Sequence, residues 1–474
     1  MRSIKIFWLI VIKYLQRYAK IGFSILLILA LIIFIQFKFD LVNLNPNVIR
    51  QGFVGTYQEH DLPSEITKLI SDSLVKPDEN NRIVANLVTG WETNKDATNF
   101  KFKLRSNLKW SDGTPIKSQD LEFIIENAQI SYPDDKTIEF QLKEPYSPFP
   151  SLLTKPIFKK GTLIGVGPYH VSSLEKSRIF ITKITLKPVS NTQNESLPDV
   201  VVRFYPNEKL SLTGFNMGEV QSLSGINTTA SSNNTLLKFN QKTDYGRIVT
   251  IFYNTKDPVL ANRSLRQALS YSAPMIKDEV EANNPLPPFS WGYEKNTKDY
   301  LGKLDDAKAA LIRAKNSMNE QSLDKEIILT TTPQLENVGN RVILAWKDLG
   351  LNAVLRVESG IPQNFQALLI TQSIPVDPDQ YFLWHSTQTN TNLAKYSPQC
   401  CPQSARVDKD LEDGRKLFEE KDRKAKYSDL QNVLLEDSPA TFLYFPKYNV
   451  LYLKKVEEKI NKILPLELMP TIRN

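Results

Sequence analysis

Leu108-Lys109-Trp110-Ser111-Asp112-Gly113-Thr114-Pro115, followed by Ile116-Lys117-Ser118-Gln119-Asp120-Leu121-Glu122-Phe123, is the stretch on which the reading of the fold turns. Asp112-Gly113 supplies the permissive backbone of a tight turn. Ser118 offers a side-chain oxygen for a helix N-cap, which predicts a helix from near Gln119 to about Ala128. On the N-terminal side Phe100, Phe102 and Leu104 alternate with Lys101, Lys103 and Arg105, the period-two pattern of a half-buried strand. On the C-terminal side Ile138, Phe140 and Leu142 repeat it within Thr137 to Leu142. Together they predict a small α+β unit over residues 61–160.

Moving outward, the second half of the chain has a different grammar. A strand over Ile248–Tyr253 precedes a helix on which Leu265, Ala268, Leu269 and Ser272 share a face, and a second helix is expected over 305–315. A strand at 326–331 then leads into a helix whose Leu335, Val338, Val342, Ala345, Trp346 and Leu349 recur at helical spacing. Gly350 stands where a C-cap belongs and Asn352–Val357 reads as a strand. Strand, helix and strand joined by a short loop make a βαβ unit, hence a partly parallel sheet. A long charged helix over 407–436 stops at Asp437-Ser438-Pro439, before an apolar strand, Phe442–Phe445.

The formal charge of +7 over 474 residues is unevenly placed. Arg2, Lys5, Lys13, Arg17, Lys20 and Lys38 account for six of the 59 cations, with no acid among the first 38 residues. The other 53 cations face 52 acids, so the remainder lacks the basic field that nucleic-acid binding requires. The two cysteines, Cys400 and Cys401, are adjacent and cannot staple a fold. They read as small side chains in a loop, the alternative being a strained vicinal disulfide or a redox pair.

Residues 21–37 (IGFSILLILALIIFIQF) carry no charge and lie between Lys20 and Lys38. As a helix they would span about 26 Å, enough for a bilayer crossing once Lys20 snorkels. The following FKFDLVNLNP has neither a small-residue cleavage site nor a lipoprotein cysteine, which predicts an uncleaved anchor. The preceding cations place the N-terminus in the cytoplasm and residues 40–474 outside it. Residues 1–20 read as an interfacial amphipathic helix, or alternatively as a charged leader without fixed structure.

The order of these segments resembles solute-binding protein family 5, the oligopeptide, dipeptide and nickel receptors of ABC importers. The resemblance rests on Leu74-Val75-Lys76-Pro77, on Val84 to Glu92, on Phe100 to Arg105 and above all on Leu108 to Phe123. Gly165-Val166-Gly167-Pro168-Tyr169 is similar to the family's Gly-x-Gly-Pro-Tyr turn, and Phe252 to Ser270, Asp377-Pro378-Asp379 and Asp437-Ser438-Pro439 match later landmarks. The resemblance covers about 48–455. It implies a mixed α/β, two-lobed periplasmic-binding-protein-like fold of type II with a trimmed extra subdomain, preceded here by one transmembrane helix. Residues 1–44 would form the cytoplasmic segment and anchor, 45–245 lobe one, 246–437 lobe two, and 438–474 the return to lobe one. The crossings would fall near Tyr245–Thr250 and Ala440–Tyr444, with Tyr245 and Tyr444 as hinge residues.

The expected function is capture of a peptide by lobe closure, as a monomeric receptor for ABC permease subunits on the extracytoplasmic side of the cell membrane. Nickel, a sugar or another solute would keep the protein within the family. A sensory or scaffolding surface protein that retains the fold without transport is the alternative from another class. Candidate ligand contacts are Tyr57, Glu59 and His60 after the first strand, Gln372 and Ser373, and Asp377, Tyr381, Trp384 and His385. Tyrosine and tryptophan give flat apolar walls with a polar tip. Peptide receptors of the family place an aspartate three residues before the acidic residue of the Asp-Pro landmark. That position is Ile374 here, which offers no charge to a ligand ammonium. Glu59 is the substitute expected from the sequence. Trp91, Trp110 and Trp346 are assigned to cores. No cofactor, metal or catalytic residue is expected: His60, His170 and His385 have no ligand spacing, and no nucleophile elbow or phosphate loop occurs.

Overall fold

Strand Val48–Val54 has Ile49, Gln51 and Phe53 buried on one face and Gly52 buried on the other against Leu223 and Val220, so it is covered from both sides. Such a strand suits a sheet interior. It pairs in parallel with Asp199–Tyr205 on one side and Ser222–Ser224 on the other. In the computed structural model, which describes residues 13, 18, 23–32, 47–190, 197–226, 235–318, 325–360, 362 and 364–463, this strand is the centre of a seven-stranded mixed sheet. The sheet order is Leu237–Thr243, Lys447–Leu453, Ser222–Ser224, Val48–Val54, Asp199–Tyr205, Phe180–Pro188, Tyr169–Ser177. This is the first lobe.

The second lobe is a six-stranded mixed sheet, in the order Val280–Glu281, Ala440–Phe445, Arg247–Tyr253, Ala367–Ser373, Ile327–Thr331, Ala353–Val357. The βαβ unit expected over 326–357 is present: Ile327–Thr331 and Ala353–Val357 pair in parallel through helix Glu336–Asp348. Gly350, at φ +90°, takes the left-handed position that ends that helix. Helix Arg263–Ser272 is capped by the Asn262 side chain, which accepts from the Leu265 N–H at 3.0 Å. Trp346 is fully buried, its indole N–H donating to the Leu269 carbonyl at 3.1 Å.

A four-stranded antiparallel sheet (Val88–Thr93, Asn99–Leu104, Thr137–Leu142, Ala128–Asp134) and the hairpin Val75–Pro77/Ile83–Ala85 form a separate small subdomain. Its core holds Trp110, Phe100, Phe102, Phe140 and Phe149. Gly165 and Gly167 tie its exit to the first lobe. A Cβ there would lie 2.3 Å from the Ile70 carbonyl oxygen and 2.5 Å from that of Leu69, a closeness only glycine permits.

Two expected helices differ from the reading of the sequence. Residues 119–128 form no α-helix: only Ser118–Asp120 makes a 3-10 turn, and Ala128–Asp134 is a strand. The Ser118 hydroxyl bonds to the Asp134 carbonyl instead of capping a helix. Leu121, Phe123 and Ile125 all pack on the subdomain core while Ile124 between them is 94% exposed, which is alternation of period two. The long charged helix is two helices, Ser404–Lys416 and Glu420–Asp437. Leu417 is extended (φ −85°, ψ 143°), and the carbonyls of Arg415 and Leu417 are taken by Ser147 of the subdomain.

Among the described residues no helix is long and apolar enough to cross a membrane. The described part of the 21–37 run, residues 23–32, is helical, with Phe23, Leu26 and their neighbours exposed. The rest of that run lies outside the described residues, as does nearly all of the leader.

Candidate functional site between the lobes

The chain passes between the two large sheets twice, over short connectors. It leaves strand Leu237–Thr243 through Asp244-Tyr245-Gly246 and returns from Ala440–Phe445 through Pro446 alone. The connectors are stitched together: Asp244 N–H donates to the Pro446 carbonyl at 2.8 Å, and the Asp244 carboxylate accepts from Gly246 N–H (3.0 Å) and Arg247 Nε (2.6 Å). Tyr245 lies in the first connector, its ring 5.0 Å from Phe445 and 5.4 Å from Phe289. Tyr444 is inside the second-lobe strand, opposite Val249 and Glu281, rather than in the connector.

Ile374 N–H donates to the Gly246 carbonyl at 2.8 Å, so strand Ala367–Ser373 ends at this junction. Beyond it opens a cleft of about 1230 Å³. The first lobe contributes Glu59, His60, Phe158 and Leu163, the subdomain a mixed bank in which Ile124, Tyr146 and Leu152 stand among Glu122, Glu126, Lys143, Glu144 and Lys155, and the second lobe Ile374 to Asp377, Asp379, Phe382 and Arg415.

The second-lobe wall is built on the Asp377-Pro378-Asp379 turn. Asp377 accepts from Asp379 N–H (3.0 Å), and Asp379 from Tyr381 N–H (3.2 Å), the usual way a short carboxylate closes a turn. Each carboxylate also meets an arginine. Arg423 grips Asp377 with both terminal nitrogens, at 3.0 and 2.5 Å. The same guanidinium donates to the Gly414 carbonyl (3.1 Å) and Tyr427 hydroxyl (2.9 Å), and lies 5.0 Å over the Trp291 ring. Arg415 Nε meets Asp379 at 2.9 Å, its cation flanked by the rings of Tyr381 (3.7 Å) and Tyr146 (4.7 Å). Burial pushes the Asp379 carboxyl above its ordinary range, with Arg415 pulling the other way.

Tyr146 belongs to the subdomain and Tyr381 to the second lobe, so Arg415 bridges the cleft. Three more contacts join the same two bodies. Ser147 donates its N–H to the Arg415 carbonyl (2.7 Å) and its hydroxyl to the Leu417 carbonyl (2.6 Å), and Arg82 holds Glu420 at 2.6 and 2.9 Å. All fall at the break between helices Ser404–Lys416 and Glu420–Asp437.

Of the residues singled out from the sequence, Glu59, His60 and Asp377 line the cleft. Glu59 is paired with Lys176 at 2.5 Å. Tyr57 lies beside the first-lobe sheet, its hydroxyl on the Val54 carbonyl and its ring 5.1 Å from Phe204; burial, then Glu65 and Asp61, push its phenol up. Gln372 and Ser373 pair with Ile248 and Arg247 at the end of their strand. Tyr381 stacks on His385 at 4.0 Å, beneath Arg415. Trp384 faces away from the cleft into the second-lobe core. It is 1% exposed, between Phe252 and Phe442, with its N–H on Gln380 Oε1 at 2.8 Å. His385 is likewise buried, bonded to Thr387 and Glu412. Cys400 and Cys401 are free thiols in the loop before helix Ser404–Lys416. The sequence reading missed Phe382, Arg415 and the whole subdomain bank. The alternation of Leu121, Phe123 and Ile125 was the available signal for part of that bank.

Residues 82–393 match the model of the bacterial extracellular solute-binding proteins, family 5. The chain belongs to this family. Its members are receptors that bind solutes, not enzymes. The oligopeptide-binding protein AppA of Bacillus subtilis is 22% identical over 85% of this chain and 86% of its own length. The solved structure of that AppA with a nonapeptide aligns at a TM-score of 0.64 and 18% identity, over 88% of this chain and 97% of AppA. That of NikZ from Campylobacter jejuni with Ni(L-His) aligns at 0.68 and 18%, over 86% of this chain and 94% of NikZ. At these identities the structures establish a shared fold, the two-lobed periplasmic-binding-protein architecture.

Proposed function

We propose that this chain is a membrane-tethered receptor that closes its two lobes over a peptide or similar small solute and presents it to the permease of an ABC importer. The observation that carries the reading is the 1230 Å³ cleft that the first lobe and its subdomain form with the separately cored second lobe, the two large sheets being joined among the described residues by two connectors. Closure about such a hinge removes the solute from water and brings both lobes into one surface that a permease can recognise. The peptide preference follows from the likeness to AppA. Asp244, Tyr245, Gly246 and Pro446 are the hinge, and the contacts of Ser147 and Arg82 with residues 415–420 hold the closed form.

The tether is residues 21–37. An apolar helix with Phe23, Leu26 and Leu27 exposed has no water-compatible reason to exist, and a bilayer supplies its missing partner. Expression of the full chain in bacterial membranes should leave it in the membrane fraction after alkaline carbonate washing.

Purification in detergent, native mass spectrometry for co-purified small molecules and X-ray scattering with and without peptide mixtures test the receptor reading. A bound solute and a smaller radius on addition of peptides are expected. A chain that carries no solute and keeps its radius with every mixture would defeat the proposal. A nickel chelate as the bound species would replace the peptide by another solute while keeping the receptor.

A further inference from the structure

The acids of the cleft are not equivalent. Glu59, Glu122, Glu126, Glu144, Asp377 and Asp379 line it. The four glutamates are solvent-exposed, while Asp377 and Asp379 are 6% and 5% exposed. A ligand ammonium drawn out of water needs a partner that is itself desolvated, because a rim carboxylate in contact with water returns little. Only the two buried aspartates meet that condition among the described residues. Both are already matched one to one, Asp377 by Arg423 through two hydrogen bonds and Asp379 by Arg415. Releasing Asp377 would strand the buried Arg423 guanidinium, and releasing Asp379 would cost Arg415, a quarter exposed between two tyrosine rings, its only carboxylate contact among the described residues.

What the second lobe shows the ligand instead is Ile374, Pro375, Val376 and Phe382, with Phe382 42% exposed. Across the cleft, Ile124 and Leu152 are 94% and 44% exposed. Large exposed apolar side chains stand on both banks, among lysines and glutamates on the subdomain side, and the second-lobe wall is the uncharged one, suited to an apolar part of a guest.

We infer that the receptor takes a solute whose end against the second-lobe wall is apolar and uncharged, and that a free amino terminus contributes nothing to its capture. This rests on the receptor reading above and narrows its ligand class to peptides or peptide-like solutes bound through apolar side chains, with a blocked or outward-facing amine.

Titration calorimetry of the full chain in detergent with short apolar peptides, each free and N-acetylated, tests the inference. Acetylation should change Kd by less than about threefold, and replacing leucine and phenylalanine in the peptide by serine should weaken binding at least tenfold. A tenfold loss on acetylation, with the free peptide still binding, would overturn the inference and leave the receptor reading standing. Binding of neither form by a chain that native mass spectrometry shows to be solute-free would overturn both.

Discussion

Replacing Arg423 by methionine removes the partner of Asp377 while filling most of the same volume. Their side chains are 9% and 8% exposed, so the carboxylate left behind has almost no water to turn to. Breaking a buried pair from one side costs about 3–5 kcal/mol, much more than the pair contributes over an apolar replacement. Arg423 also satisfies the Gly414 carbonyl and the Tyr427 hydroxyl, whose loss keeps the figure toward the upper end. For a unit of about 150–250 residues this lowers Tm by roughly 6–20 °C. Asp377→Asn in the same background keeps the acceptor that closes the turn on Asp379 N–H and removes the stranded charge, so the double variant should recover most of the loss. Circular dichroism melts and urea titrations of the parent, both single variants and the double variant give the coupling energy. A coupling of about 2 kcal/mol or more is expected. A value under about 0.5 kcal/mol would mean that Asp377 is not held by Arg423. Its carboxylate would then be available to a ligand, and the apolar character assigned to the wall would fail.

Trp384→Ala should destabilise the second lobe by about 3–5 kcal/mol, because the indole is packed in the core, and urea denaturation should show it; unchanged stability with weakened solute binding would put Trp384 in the site after all. Burial, reinforced by Asp429, pushes the Asp410 carboxyl up to about 7. The folded protein therefore keeps a proton that the unfolded chain has lost, and this group's contribution to stability falls as pH rises from about 4 to about 7. Asp410→Asn should raise Tm relative to the parent at pH 8 and leave it unchanged at pH 4; equal shifts at both would refute the assignment. The Arg82–Glu420 pair is 48% and 41% exposed, which limits it to about 0.2–1 kcal/mol. Arg82→Gln should therefore weaken closure no more than about fivefold, with the difference vanishing in high salt, as read by solute affinity at two ionic strengths.

Where hydrophobic periodicity was long and one-sided, the sequence was enough. Helix Glu336–Asp348 and its flanking strands follow from i, i+3, i+4 spacing and a terminal glycine, because each signal is local. The two failures share a physical cause. Ser118 looked like an N-cap and became a tertiary hydrogen-bond donor, since the Asp134 carbonyl was nearer than a helix that Leu121, Phe123 and Ile125 could not sustain on one face. The helix break at Leu417 follows Gly414, a weak helix former in the last turn, but glycine alone does not stop a helix. Ser147, some 270 positions away, satisfies the carbonyls that a continued helix would have used. A window along the chain shows Gly414 but not the Ser147 contacts.

The site was legible only in part for the same reason. Asp377 could be found as a landmark, but its availability depends on Arg423, which lies 46 positions later on another element. The break at 417–419 turns out to order the whole region. An uninterrupted helix would have carried Arg415 and Arg423 in one continuous register, about two turns apart on one rod. Two helices instead let Arg415 turn to Asp379 and the subdomain tyrosine while Arg423 turns inward to Asp377. The subdomain meets the second lobe at this break, while both cations that neutralise the wall, Arg415 and Arg423, belong to the second lobe itself. Opening the lobes would pull Tyr146 and Ser147 away from Arg415 but leave Asp377 and Arg423 together, since both belong to the second lobe. The apolar wall is thus a property of the lobe itself, present before any solute arrives.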